Sequence, residues 1–330
     1  MSVSVGIVTW NSGAVIEAAI ASVRAQRDVR CELLVVDNAS DDDTWGRVAA
    51  MTTPDERVLL PSNTGFSAAH NLAIKRTRGA FYLALNPDVV LAPDHVAALV
   101  RALEAAPDAG VAGGRLLCVD DPASIDSTGI VMQPSQRHLD RGQHAPDGPQ
   151  FDLAAEVFGI SGAAALYRRA MLADIAIDGE VFDEDFFAYR EDADLAWRAQ
   201  WRGWSALYVP VARATHGRRV TPERRHLLPG TLNRYSVRNR FLLRIKNQTA
   251  GLALRFAGPA ALRDAQVLGY VLLREHGSLA GLADVIRLLP RMWRKRRVVM
   301  SRRRRSSAEL AFWFHHDSRP AHGKAASNLV

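Results

Sequence analysis

The chain has 330 residues, 48% of them hydrophobic and 23% charged, enough apolar material for one large or two modest domains and too much for a disordered protein. Its net charge of +7 is local: the segment Arg291–Arg305 holds nine Arg and Lys and no acid, which leaves a net −2 elsewhere and assigns any basic contact to this segment. Two cysteines, Cys31 and Cys118, sit in apolar runs and build no disulfide framework, and the N-terminus lacks the basic region and apolar stretch of a signal peptide, so a cytosolic chain is expected.

The first half alternates short apolar runs with amphipathic stretches, the pattern of βαβ units feeding a parallel sheet. Val3–Val8 predicts a strand, Gly13–Gln26 a helix, Glu32–Val36 a strand, Asp41–Met51 a helix and Arg57–Leu60 a short strand. Phe66–Arg78 predicts a helix, Ala80–Leu85 a strand, and Pro93–Ala106 a helix with proline in its first turn, where it is tolerated. From Gly110 to Gly148 the periodicity weakens, giving strands Val111–Cys118 and Ile125–Met132 and then a loop, Gln136–Gln150. A second ordered block follows: strand Val157–Tyr167, the acidic and aromatic stretch Phe182–Asp194, helix Ala193–Arg202 and strand Ala206–Val209. Beyond Pro222 the sequence turns helical, through Leu232–Lys246 and amphipathic pieces to Leu289. Residues 306–330 are expected to be disordered, and no run of roughly 18 uncharged apolar residues predicts a spanning helix.

In such sheets ligands sit beyond the C-terminal ends of the strands. Four polar, turn-forming segments fall there: Thr9-Trp10-Asn11, Asp37-Asn38-Ala39-Ser40-Asp41, Asn63-Thr64-Gly65-Phe66 and Asn86-Pro87-Asp88. Each precedes a helix, so free N–H groups at helix starts converge on one edge, which suits a diphosphate.

These segments, in order with Ile160-Ser161-Gly162, Asn71 and Phe182-Asp183-Glu184 running to Glu191-Asp192, resemble glycosyltransferase family 2, and most closely its rhamnosyltransferase-like branch, over residues 3–247. The resemblance implies the GT-A nucleotide-diphospho-sugar transferase fold, a mostly parallel α/β sheet flanked by helices. It divides the chain into a catalytic domain, 1–220, with a nucleotide-binding half (1–110) and an acceptor half (111–220), and a helical extension, 221–305.

Carried onto this sequence, the family pattern gives Asp37 the N3–H of a pyrimidine base, with Thr9, Trp10, Asn11 and Asn38 lining the same pocket. A turn or helix-capping aspartate is the competing reading of Asp37, and Trp10 stands where tyrosine is more usual. Asn63, Gly65, Phe66 and Asn71 fall to the nucleotide sugar, as do Asn86, Pro87 and Asp88. Asp88 would hold Mg²⁺ or Mn²⁺ with the diphosphate, and His216 resembles an additional metal ligand; Asn86 departs from a two-aspartate motif, but one carboxylate with substrate phosphates can suffice. Gly162 is expected to admit donor or acceptor close to the backbone. Transfer with inversion needs a carboxylate to take the acceptor proton. Asp192 matches the family's base, with Glu191 and Asp194 beside it as alternatives, although acids at a helix start also serve as caps. Trp197, Trp201 and Trp204 read as core or rim aromatics before sugar platforms.

The resemblance therefore implies a pyrimidine nucleotide-sugar donor (dTDP- or UDP-sugar, dTDP-L-rhamnose first) and a lipid-linked or cell-envelope glycan acceptor. A sugar-phosphate nucleotidyltransferase shares the general fold, and a silent nucleotide-sugar-binding scaffold would share the motifs. Arg291–Arg305 interleaves its cations with Met292, Trp293, Val298, Val299 and Met300, which suits an anionic membrane surface on the inner face of the plasma membrane. No nucleic-acid partner is expected, because no RNA-binding motif accompanies the arginines.

Overall fold

β1 (Ser2–Thr9) is enclosed on both faces, every residue after Ser2 being buried, as a central parallel strand requires. The computed structural model describes residues 2–218 and 230–321. After β1 come α1 (Ile16–Arg24), β2 (Arg30–Asp37), α2 (Thr44–Met51), β3 (Arg57–Leu59), α3 (Gly65–Arg76) and β4 (Phe81–Leu85). β1 pairs in parallel with both β2 and β4, and β2 with β3. The order β3-β2-β1-β4 thus reverses direction beside β1, opening a crevice past Thr9 and Leu85.

Next follow β5 (Val89–Leu91), α4 (His95–Ala105), β6 (Ala109–Cys118), β7 (Ile125–Ser127), β8 (Ile130–Met132), β9 (His138–Asp140), β10 (Ala155–Val157), β11 (Ala164–Arg168), α5 (Arg169–Ile175), α6 (Glu191–Trp201) and β12 (Ser205–His216). β11 lies antiparallel between β4 and β6, and β12 extends the sheet on the far side of β6. Several sequence expectations change here. The single strand expected over 125–132 is two, because Gly129, at φ +131°, turns the chain out of the sheet so that β8 pairs with β9. β9 itself lies inside the expected loop. The strand expected over 157–167 is likewise two: β10 pairs with β12, whereas β11 lies across the sheet. β12 is longer than expected because it runs through Pro210, which occupies a register shift where its missing N–H costs no ladder bond.

The C-terminal part consists of α7 (Gly230–Asn247), α8 (Ala250–Arg255), α9 (Ala257–Arg274), α10 (Leu279–Ser301), α11 (Ser307–Ala311) and β13 (Arg319–Pro320). A core of Trp197, Trp201, Phe158, Leu242, Leu243, Phe256, Met292, Leu310, Trp313 and Phe314 joins it to α6. The disorder expected from residue 306 is therefore corrected as far as residue 321. Ser306 and Glu309 form a reciprocal capping box on α11, Trp313 and Phe314 are buried, and β13 pairs with β10. The remainder of that tail, 322–330, and the turn into the helical region around Pro222, lie outside the described residues.

The basic segment is not a free arm either. Lys295 is 1% exposed and ion-paired with Glu180, Asp183 and Asp185, Arg291 pairs with Asp185, and Arg296 donates to the carbonyls of Ile245 and Gln248. Trp293, Arg294 and Arg297 remain exposed. Among the described residues no helix is long and apolar enough to cross a membrane.

Candidate active site

Asp37 ends β2 with its side chain buried. One oxygen, Oδ1, accepts the Ser40 N–H at 2.8 Å, which closes the turn, while Oδ2 is buried without a partner. Burial pushes this carboxyl above its usual range, against the pull of Ser40. An unpartnered buried acceptor is costly to leave unmade, so the turn accounts for only half of the group. The Thr9 Oγ1 beside it on β1 is also buried and unpartnered. Trp10 is 42% exposed at the mouth. Asn11 adopts φ +49°, its Oδ1 accepts the Asp41 N–H at 2.8 Å, and its own N–H donates to Ser40 Oγ.

The start of α3 is fastened to this pocket. Asn38 accepts the Thr64 N–H at 2.8 Å and donates to the Gly65 carbonyl, and Asn63 accepts the Gly65 N–H. Gly65 has φ +83°, and a Cβ there would stand 2.5 Å from the Phe187 carbonyl oxygen, so the position needs glycine for both conformation and space. Phe66 packs on His70 and Phe182.

Asn71 departs from its expected place. Both its amide donors and its oxygen are spent inside the protein, donating to the Phe182 carbonyl and Glu184 and accepting the Val181 and Phe182 N–H groups. In this structure it tethers the acidic stretch rather than facing the donor crevice.

The Asn86-Pro87-Asp88 turn leaves β4 beside β11, where the Asn86 N–H donates to the Ala163 carbonyl at 2.8 Å. His216 ends β12 opposite Val89, which brings its Nε2 to 3.3 Å from Asp88 Oδ1. On its other side Nδ1 lies 2.8 Å from Asp126 Oδ2. Although burial opposes a charged ring, the bonds to Asp126 and Asp88 raise His216 to about 9. Arg218 reaches from Asp126 to Asp140. Asp88 and His216 offer one carboxylate and one imidazole on one edge, and Asp126 holds the ring as partners of metal-bound histidines do. Among the described residues no three His, Cys, Asp or Glu side chains gather around a metal position. This donor pair fits a cation that takes its other ligands from phosphate and water.

The three acids at the start of α6 have separate fates. Asp194 is fully buried and bound by Arg198, Lys246 and Asn247, so its charge is compensated inside the fold, away from an acceptor. Glu191 is buried, and burial with the neighbouring Asp192 charge pushes it up to about 8, which keeps it protonated at neutral pH. Asp192 is half-buried, its Oδ2 accepting the Gly162 N–H at 3.1 Å and its Oδ1 that of Ala193. Burial and Asp140 hold its carboxyl above the usual range. Gly162 lies one residue from Ala163, the partner of Asn86, so Asp192 and Asp88 share an edge. A Cβ on Gly162 would make ordinary contacts with Asp192 and Phe66, so what this residue contributes is its N–H rather than open space.

Before α6, Phe187, Tyr189 and Arg190 have φ of 63°, 71° and 72°, a strained run for side-chain-bearing residues. The C-terminal helices hold it: Asn239 Nδ2 reaches the carbonyls of Phe186, Ala188 and Tyr189, Arg238 those of Asp185 and Phe186, and Lys246 and Lys295 converge on Asp183. Sequence reasoning missed these positions, as it missed Asp126 and Asp140. The one sequence signal that could have found the pairing is the imbalance between an acidic run at 183–194 and a basic one at 291–305. Trp197 and Trp201 are core, and Trp204 donates to Asp174.

The model of the family described as "Glycosyl transferase family 2" matches residues 4–176. The N-acetylglucosaminyl-diphospho-decaprenol L-rhamnosyltransferase of Mycobacterium tuberculosis is 29% identical over 243 residues, 63% of this chain and 74% of that one. Among solved structures, GalNAc-T7 with UDP, GalNAc and Mn²⁺ superposes with a TM-score of 0.56 at 13% identity, covering 74% of this chain, which spans about half (48%) of that one. The mannosyltransferase PcManGT of Pyrobaculum calidifontis, in complex with GDP-Man and Mn²⁺, gives 0.52 at 18% identity over 95% of this chain and 88% of its own. These likenesses establish the GT-A fold expected from the sequence.

Proposed function

The chain belongs to glycosyl transferase family 2 and is a glycosyltransferase; from that premise we propose that it is an inverting enzyme passing a sugar from a pyrimidine nucleoside diphosphate to a hydroxyl of a lipid-linked glycan. L-rhamnose from dTDP-L-rhamnose is the specific donor proposed, and a diphospholipid glycan the acceptor, by analogy with the mycobacterial rhamnosyltransferase. Base recognition is supported by the vacant bonding capacity of Asp37 Oδ2, which suits the N3–H that uracil and thymine share. The Asn63–Phe66 turn is fastened by Asn38 beside the Asp37 pocket, which supports its contact with the donor.

Asp88 and His216 would hold Mg²⁺ or Mn²⁺, which when bound neutralises charge on the departing diphosphate. Asp192 takes the acceptor proton as that oxygen attacks the anomeric carbon and the bond to the diphosphate breaks. Its Oδ2 is aimed by the Gly162 N–H, and its raised pKa makes it a stronger base than an ordinary aspartate. The observation that carries the reading is this contrast among three neighbouring acids: Asp194 is bound by Arg198 and Lys246, Glu191 is buried with its carboxyl pushed up to about 8, and Asp192 alone combines an oriented carboxyl with partial exposure.

Membrane contact is proposed for the exposed part of α10 around Trp293, Arg294 and Arg297, at the inner face of the plasma membrane. The test of the reaction class is product identity. Incubation with dTDP-rhamnose or a UDP-sugar and a lipid-linked acceptor should release nucleoside diphosphate; pyrophosphate from nucleoside triphosphate and sugar phosphate as the sole product overturns the reading.

A further inference from the structure

Away from the donor crevice, the turn joining β8 to β9 carries a gathering of guanidinium groups that the transfer chemistry leaves unused. Arg190, just before α6, meets His138 Nδ1 at 2.9 Å. Arg240 of α7 donates to the Ser135 carbonyl at 3.2 Å. Arg137 stands in the turn itself, where partial burial and, to a lesser degree, the nearby Arg263 of α9 lower its pKa. Asp264 serves Arg240 and Arg244. Neither Arg137 nor Arg263 is ion-paired with a described residue, and the Arg263 Nε is buried without a partner. Arg137 and Arg263 thus stand near one another without an ion-paired acid among the described residues, and an anion bound between them would relieve their repulsion.

A second observation points the same way. Gln136, between Ser135 and Arg137, is 1% exposed at φ +58°, and neither its amide oxygen nor its nitrogen has a hydrogen-bond partner. Buried amides are normally satisfied. The unpartnered Gln136 amide and the unpaired Arg137 and Arg263, flanked by Arg190 and Arg240, make a donor set that suits phosphate oxygens.

Placement fixes the ligand further. Asp140, at the end of β9, is close enough to Asp192 to raise its pKa. Arg137 lies three residues earlier, roughly 10 Å at strand rise, about the reach of a short glycan from a reacting hydroxyl to its anomeric phosphate. On α9, Leu262 adjoins Arg263 and is 65% exposed, and Leu273, about three turns along the same side, is 76% exposed. A strong anion flanked by hydrocarbon would meet both features.

We propose that Arg137, Arg190, Arg240 and Arg263, with Gln136, form the docking site for the diphosphate of a lipid-linked acceptor, and that the exposed apolar side chains of α9 receive the start of its lipid chain. The inference rests on the proposed transfer to a lipid-linked glycan, and its test is a binding measurement independent of turnover. The full chain, with its donor crevice saturated by nucleoside diphosphate, is titrated calorimetrically with farnesyl diphosphate, with inorganic pyrophosphate and with phosphatidylglycerol vesicles. Farnesyl diphosphate is expected to bind more tightly than pyrophosphate. Arg137→Ala and Arg263→Ala should each weaken it about tenfold, and Arg137→Lys less, with the circular dichroism and the acceptor-free hydrolysis of donor unchanged. Equal binding by wild type and the double variant overturns the site. So does binding that nucleoside diphosphate abolishes, or binding to vesicles alone. Pyrophosphate binding as tight as farnesyl diphosphate overturns the lipid half of the assignment. Failure of sugar transfer with retained, arginine-dependent farnesyl diphosphate binding would instead count against the proposed reaction.

Discussion

Replacing Lys295 by methionine keeps the length of the side chain and removes its charge from a fully enclosed site. Its ammonium lies 3.0 Å from Glu180, 2.5 Å from Asp183 and 2.9 Å from Asp185, and these charges, prevailing over burial, raise its pKa. Asp183 is buried as well, and Lys246 and Lys295 depress it despite that burial. Removing one member of a buried ion pair leaves the other uncompensated, at a cost of about 3–5 kcal/mol. Lys246 still reaches Asp183, so about 3 kcal/mol is the expected loss in urea unfolding at pH 7. The sign with pH follows from the depressed Asp183. Its stabilising contribution is present above the usual carboxylate value of 3.8 and is lost as pH falls through the lower folded value, so the variant's deficit should hold down to about pH 4 and shrink only below it. Arg297→Met, on the exposed side of the same helix, should change stability by less than about 0.5 kcal/mol. A Lys295→Met deficit below about 1 kcal/mol, or one equal to that of Arg297→Met, would refute an internal role for this part of the basic segment. For the same reason, deletion of residues 291–330 removes the cations paired with Glu180, Asp183 and Asp185 and is no clean test of lipid contact.

Glu191→Gln tests the protonated acid. A carboxyl raised to about 8 keeps a proton that the unfolded chain releases above 4.5, so wild-type stability falls between those values, by at most about 1.4 kcal/mol per pH unit. The variant should therefore gain on wild type from pH 5 to pH 8 in thermal melts, and a constant difference would show Glu191 ionised. Gly65→Ala, facing both φ +83° and the Phe187 carbonyl, should lose at least about 1–2 kcal/mol of stability and raise the donor KM, whereas unchanged donor binding would detach this turn from the donor. Asp126→Asn removes the charge orienting His216, and an increase of about 10–100-fold in the Mn²⁺ concentration needed for half-maximal activity is expected. An unaltered metal requirement would exclude His216 as a ligand.

The parallel half of the sheet was legible because its strands are continuous apolar runs and its turns carry punctuating glycine, asparagine and aspartate. Thr9, Asp37 and Asp88 could be placed at strand ends on that basis alone. For Asn71 the sequence gives a position on a helix but not where its amide is spent, which is on Val181, Phe182 and Glu184. The three acids of α6 looked alike in sequence, and their roles separate only when Lys246, Asn247 and Gly162 arrive from other elements. The antiparallel half was less legible: Gly129 and Pro210 reroute strands through pairings set by distant segments. The tail misled most, since an arginine-rich run has the same composition whether it faces solvent or a buried acidic loop.

The most direct test of Asp192 as the base is the rate of nucleoside diphosphate release with saturating donor and a working acceptor, compared between wild type and Asp192→Asn. The substitution keeps size and the capacity to accept the Gly162 N–H, so donor KM should stay within about twofold while kcat falls about 10²–10⁴-fold. A kcat within a factor of a few of wild type would contradict the assignment and return the search to Glu191.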